Sequence, residues 1–275
     1  MPLDEYIAPV VLADEFDGFL VDLDGVVWIG REPVPGSPEA LAALLGAGKR
    51  IAFVTNNPGR EPAVYAERLA ALGVEVEPGQ IVTAGIVAAR LAAEVAGKGG
   101  PVFVVGAPAL KRLVEEEGAR VVGTEEAAGA AVVLVSGHRD FDYAELLASK
   151  RALDGGAALF ATSRDPTLPT PDGEAPGTGS VLAAVETAAG KRAEIAGKPE
   201  RHLFELALAA VDGAERVAMV GDRLSSDVAG GHAAGLRTIL VLSGTSGEGG
   251  GGSEDLATAD PQPDFVLPDL AALLR

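Results

Sequence analysis

Leu20-Val21-Asp22-Leu23-Asp24-Gly25-Val26-Val27 sets an apolar run against two carboxylates, two positions apart, that lead into a glycine. The apolar residues read as a strand, and the glycine as the turn that ends it. Carboxylates held close together at a strand end repel one another, so they need a cation between or beside them. A hard, oxygen-rich site suits Mg²⁺. One of the two could then act as a nucleophile. Asp and Gly are also ordinary turn residues, so this segment alone leaves a purely structural turn open.

Three further apolar segments end in residues that phosphoryl chemistry on an aspartate requires. They are Ile51-Ala52-Phe53-Val54-Thr55-Asn56-Asn57, Ala196-Gly197-Lys198-Pro199, and Val217 to Gly221 followed by Asp222-Arg223-Leu224-Ser225-Ser226-Asp227. In this order the four segments resemble the haloacid dehalogenase superfamily of phosphohydrolases, whose motifs run Asp-x-Asp, Ser/Thr, Lys and Gly-Asp-x-x-x-x-Asp. The closer similarity is to subclass IIA, the branch of glycerol-phosphate, phosphoglycolate, pyridoxal-phosphate and nitrophenyl-phosphate phosphatases. It is carried by Asp22 to Trp28, Thr55 to Asn57, Pro176 to Gly179, Gly197 to Pro199 and Gly221 to Asp227. The surroundings of Asp165 to Thr170 look most similar to actinobacterial glycerol 3-phosphate phosphatases.

The resemblance implies Mg²⁺-dependent hydrolysis of a small phosphate monoester through an aspartyl-phosphate. Asp22 would be the nucleophile and Asp24 the acid and base. Thr55, Asn56 and Asn57, with Gly25, would hold the phosphoryl oxygens, Thr55 and Asn56 doing so at the start of a helix. Lys198 would bridge nucleophile and phosphoryl group. Asp222 would bind Mg²⁺ with the Asp22 carboxylate and the Asp24 carbonyl, and Asp227 would act through a metal-bound water or by orienting Lys198. Arg164 and Asp165 are the expected substrate contacts, and they point in different directions. Arg164 would suit a second anionic group, as in 2-phosphoglycolate; Asp165 would suit a polyol hydroxyl, as in glycerol 3-phosphate. Pyridoxal 5′-phosphate and nucleoside monophosphates remain alternatives. Trp28 either touches substrate or packs beside the catalytic loop.

Strand-like and helix-like runs alternate along the chain, the rhythm of a doubly wound, mainly parallel α/β sheet. Phe19 to Asp22, Pro38 to Leu45, Arg50 to Thr55 and Val64 to Leu72 give one such series. A second lies in the middle, from Val102 to Ala161, and can be removed without losing any of the four chemical segments. It reads as an inserted α/β cap at residues 81–186, with a catalytic core at 1–80 and 187–275. The stretch Gly244 to Ser253 reads as a mobile glycine-rich loop.

The chain has 275 residues, 48% of them hydrophobic, enough for a sizeable core, and a net charge of −18. That charge argues against nucleic acid and anionic membranes as partners. With no cysteine, thiolate nucleophiles and disulfides are excluded. The start, Met1 to Tyr6, has no leader-like pattern, so a cytoplasmic protein is expected, acting on a small phosphorylated metabolite, with a homodimer through the cap as the expected assembly. His138, His202 and His232 are scattered and define no zinc or Ser/His site. A non-hydrolytic phosphoacceptor or metabolite-binding module is the reading from a different class. The first would need about half this length and no acid at Asp24; nothing at the catalytic positions argues for the second.

Overall fold

The computed structural model describes residues 11–170, 173–244 and 256–275. The first strand, Gly18–Asp22, is buried at every position and lies inside a six-stranded parallel sheet. Across that sheet the order is Phe265–Leu267, Arg237–Val241, Val217–Gly221, Gly18–Asp22, Arg50–Thr55, Ile81–Thr83. The chain builds outward from Gly18–Asp22 on one side, then returns to add Val217–Gly221 on the other. This reversal opens a crevice at the carboxyl ends of the two central strands, where ligands bind in open α/β sheets. Asp22 ends one of these strands and Asp222 follows the other.

A second parallel sheet of five strands runs Glu194–Ile195, Ala158–Ala161, Val132–Val135, Pro101–Val105, Arg120–Val122. The doubly wound α/β class and the inserted second sheet expected from the sequence are both present. Strand pairing shifts the seams from those at 80/81 and 186/187. Ile81–Thr83 pairs with Arg50–Thr55 in the first sheet, and Glu194–Ile195 pairs with Ala158–Ala161 in the second. Such short edge strands carry too little hydrophobic periodicity to assign from sequence.

Helix Ala84–Ala96 follows directly, capped by the Thr83 hydroxyl, which accepts the Ile86 N–H at 3.2 Å. Its buried residues are Ala84, Gly85, Val87, Ala88, Ala89 and Ala92, small enough to let it pack closely on both sides. One apolar cluster therefore runs from Leu20, Ala52 and Val54 in the first sheet, through Ala88, Ala92 and Phe204, to Val102, Val132 and Leu134 in the second.

The described chain closes on a strand, Phe265–Leu267, followed by a 3₁₀ turn, Leu270–Leu274. Met1 to Tyr6 and the glycine-rich stretch beyond Gly244 lie outside the described residues. No helix among the described residues is long and apolar enough to cross a membrane.

Candidate active site

Four separate elements deliver the site. Asp22 comes from the end of Gly18–Asp22, Asp222 from the residue after Val217–Gly221, Asp227 from the irregular turn Leu224–Val228, and Lys198 from the loop before helix Arg201–Ala210. All four side chains are buried. Carboxylate oxygens of Asp22, Asp222 and Asp227 lie within 4.8 Å of one another. The Lys198 ammonium stands between two of them, with Nζ 2.8 Å from Asp22 Oδ1 and 2.7 Å from Asp227 Oδ1.

Three buried carboxylates and one ammonium leave a local excess of negative charge. Burial is the main force holding the Asp22 carboxyl well above its usual range; Lys198 pulls it down, while Asp227 and Asp222 push it further up. Burial alone would lower the Lys198 ammonium, but Asp22 and Asp227 outweigh it and keep it raised and charged. The donor set is oxygen only. The backbones of Gly25 and Gly244 close against the Asp222 carboxylate so tightly that a Cβ at either would collide with it. Gly25 is also in the left-handed region, at φ +90°. Hard donors, excess negative charge and a tightly cradled carboxylate fit Mg²⁺.

Asp227 is committed on both oxygens: Oδ1 to Lys198, and Oδ2 accepting the Arg223 N–H at 3.0 Å. Asp24 is half-buried and accepts the Trp28 indole N–H on Oδ1 at 3.0 Å. Trp28 itself is fully buried, so it packs beside the catalytic loop rather than facing substrate.

Thr55 ends strand Arg50–Thr55 at the crevice, but the helix expected to begin there does not; it starts at Pro62. The intervening loop is held by side chains instead. The Thr55 hydroxyl accepts the Asn57 N–H at 3.0 Å, Asn57 Oδ1 accepts the Gly59 N–H at 3.0 Å, and the Asn57 carbonyl accepts the Tyr65 hydroxyl at 3.0 Å. A turn closed by hydroxyl and amide side chains competes with helix initiation. Asn57 Oδ1 and its carbonyl are thereby engaged by Gly59 and by Tyr65 of the following helix.

Asn56 does work that the sequence does not reveal. Its Oδ1 accepts the Lys198 N–H at 2.8 Å, and its Nδ2 donates to the Lys198 carbonyl at 3.0 Å and to Asp165 Oδ2 at 3.1 Å. This one amide fixes the lysine loop and ties it to the loop that follows strand Ala158–Ala161 of the second sheet. Arg223 joins the same junction, its Nη1 3.9 Å from Asp165 Oδ1.

Arg164 does not join the site. Its guanidinium grips Glu186 with two bonds, at 3.1 and 2.9 Å, and donates to the Ala193 carbonyl at 3.1 Å. Its neighbour Asp165 reaches Asn56 and Arg223 at the crevice instead. Each histidine has a carboxylate neighbour, Glu145 for His138, Glu194 for His202 and Asp264 for His232. None belongs to a metal-ligating group among the described residues.

Residues 19–120 match the family model for haloacid dehalogenase-like hydrolases, and residues 195–273 match a second, HAD-hydrolase-like model. Among known proteins, a glycerol-3-phosphate phosphatase of Gallus gallus is 36% identical over 297 residues, covering 99% of this chain and 95% of the relative. Human chronophin is 40% identical over 243 residues, covering 83% and 82%. The magnesium complex of a glycerol phosphate phosphatase from Mycobacterium tuberculosis superposes with a TM-score of 0.86 at 34% identity, over 96% of this chain and 78% of that one. The chain belongs to the haloacid dehalogenase-like hydrolase family. It is a phosphoric monoester hydrolase of the branch that includes these phosphatases.

Proposed function

We propose that this protein hydrolyses glycerol 3-phosphate, or a closely similar small polyol phosphate, with Mg²⁺ as cofactor. The observation that carries the reading is the buried Lys198 ammonium held between Asp22 and Asp227, beside a third carboxylate. A phosphoryl group over Asp22 meets a nucleophile and a fixed positive charge together.

In this mechanism the Asp22 carboxylate attacks phosphorus, and the P–O bond to the alcohol breaks as Asp24 gives its proton to the departing oxygen. Asp24 then takes a proton from water, whose oxygen attacks the aspartyl-phosphate, releasing inorganic phosphate and restoring Asp22. Lys198, the Thr55 hydroxyl and the backbone N–H groups of the Thr55–Asn56 loop hold the phosphoryl oxygens. Asp22 and Asp222, with the Asp24 carbonyl, would hold Mg²⁺, which when bound would neutralise carboxylate and phosphoryl charge. Asp227 orients Lys198.

The second sheet acts as the cap that selects the alcohol. Arg164 is already paired with Glu186, which disfavours substrates carrying a second anion, such as 2-phosphoglycolate. Asp165 at the junction favours a hydroxyl-bearing alcohol, in line with the glycerol phosphate phosphatases among the relatives. A cytoplasmic location accords with a chain that has no cysteine. Pairing through the cap completes the proposal; a monomeric mass by light scattering would remove that part.

The test is phosphate release from glycerol 3-phosphate, 2-phosphoglycolate, pyridoxal 5′-phosphate, nucleoside monophosphates and p-nitrophenyl phosphate, with Mg²⁺ and with EDTA, beside Asp22→Asn. Mg²⁺-dependent release highest for glycerol 3-phosphate, and abolished in Asp22→Asn, is expected. Preference for another ester would overturn the substrate, and near-normal turnover by Asp22→Asn would overturn the nucleophile.

A further inference from the structure

The geometry points to Trp28 as the residue that positions Asp24 for proton transfer, an inference that rests on the reading of Asp24 as acid and base. Trp28 is the chain's single tryptophan. It starts the short hairpin Trp28–Ile29 with Glu32–Pro33, and its Nε1–H donates to Asp24 Oδ1 at 3.0 Å. The backbone closes the same loop. The Gly25 N–H donates to the Trp28 carbonyl at 2.7 Å, and the Trp28 N–H to the Leu23 carbonyl at 3.2 Å. Indole and carboxylate are thus held at a fixed separation.

Helix Pro62–Ala70 fixes the plane of the indole. The Tyr65 ring lies parallel to it, 4° between planes and 6.4 Å between centroids, and the Arg68 guanidinium carbon sits 3.8 Å from the indole centroid. Both clamps are anchored in turn, since Arg68 Nη2 donates to the Gly30 carbonyl at 2.8 Å and the Tyr65 hydroxyl to the Asn57 carbonyl at 3.0 Å. A stacked ring and a cation over its face resist rotation of the indole.

An indole N–H only donates, so Asp24 Oδ1 remains an acceptor whether the carboxyl is protonated or not. The transferable proton is confined to Oδ2. When Asp22 attacks phosphorus, that proton passes from Oδ2 to the leaving oxygen as the ester bond breaks; in the second half, water returns a proton to Oδ2 as its oxygen bonds to phosphorus. Without the N–H the carboxyl is free to turn and to carry its proton on either oxygen. Fewer encounters then find the acid aimed at the leaving group.

Trp28→Phe keeps an aromatic ring and removes the donor. The readout is kcat/KM, which covers the steps through departure of the leaving group, for glycerol 3-phosphate and for p-nitrophenyl phosphate. An alkoxide needs a proton to leave, and p-nitrophenolate does not. General acid catalysis is worth about 10²- to 10⁴-fold in full, so loss of aim should lower kcat/KM for glycerol 3-phosphate by about tenfold or more, and for p-nitrophenyl phosphate by less than about threefold. Equal falls, or none, would overturn the inference. Asp24→Asn in the same pair of assays separates the two ideas. If it shows the leaving-group dependence and Trp28→Phe does not, Trp28 alone loses its role; if it shows none, the acid assignment falls and takes the inference with it. The lone indole N–H also gives a readout that needs no Trp28 variant. Its NMR resonance in the wild-type chain should lie downfield of that in Asp24→Ala and exchange more slowly with solvent; identical resonances would overturn the contact.

Discussion

Replacing Glu186 with Gln tests whether Arg164 is a structural or a substrate-binding arginine. Burial would raise the Glu186 carboxyl, but the Arg164 hydrogen bonds, the Ala193 N–H and Arg192 outweigh it and hold it down at about 2, against an ordinary 4.5. At about 1.4 kcal/mol for each tenfold change in proton affinity, the ceiling on that stabilisation is roughly 3 kcal/mol. The Arg164 and Arg192 side chains are 44% and 83% exposed, so solvent screens the ion pairs, and Gln still accepts a hydrogen bond. A net loss of about 1–2 kcal/mol is expected, roughly 3–6 °C in Tm for a chain of this size. Because the folded carboxyl titrates below the unfolded one, its contribution is complete above about pH 4.5 and disappears as pH falls toward 2. Thermal unfolding of wild type and Glu186→Gln should therefore differ by a constant gap from pH 7 to pH 5 that narrows in more acid buffer, while kcat/KM for the polyol ester stays within about twofold. A gap that widens in acid would refute the electrostatic argument. A tenfold loss of kcat/KM without loss of stability would show that this cluster reaches the substrate.

Lys198→Met removes the positive charge between Asp22 and Asp227; kcat should fall by at least about 10²-fold. Stability in EDTA should fall by about 3–5 kcal/mol, since buried carboxylates lose their partner, and a loss under about 1 kcal/mol in urea unfolding would contradict the buried pairing. Gly25→Ala places a Cβ against the Asp222 carboxylate at a left-handed residue, whereas Gly30, also left-handed, has open space around it. Gly25→Ala should therefore abolish the Mg²⁺-dependent rise in Tm, while Gly30→Ala costs only about 1 kcal/mol of backbone strain; equal effects in thermal unfolding would contradict the close packing at Asp222.

The chemical segments are legible in the chain because each is local. An apolar run followed by Asp-x-Asp-Gly, Thr-Asn-Asn or Gly-Asp states both a buried strand and what stands at its end. Residue order then carries Asp22 and Asp222 to neighbouring strand ends once the sheet is doubly wound. Local reading went wrong where side chains replaced the backbone as hydrogen-bond partner. The loop after Thr55 reads as a helix start, and hydroxyl and amide bonds close it into a turn instead.

Arg164 and Asp165 show the same limit in another form. As types they suggest opposite substrates, and nothing within the segment says which one faces the crevice. Glu186, 22 residues on, captures Arg164 and leaves Asp165 to Asn56 and Arg223.

By itself, then, the sequence determined the α/β class and the need for a cation, because hydrophobic period and clustered charge are properties of short stretches, and it displayed four chemical segments whose order resembles the family's motifs. Tertiary structure alone decided where the two sheets change over, that Asn56 holds the Lys198 loop 142 residues away, and that Trp28 aims its N–H at Asp24. Those outcomes depend on side-chain direction and on pairings between distant segments, and only the packed chain fixes either.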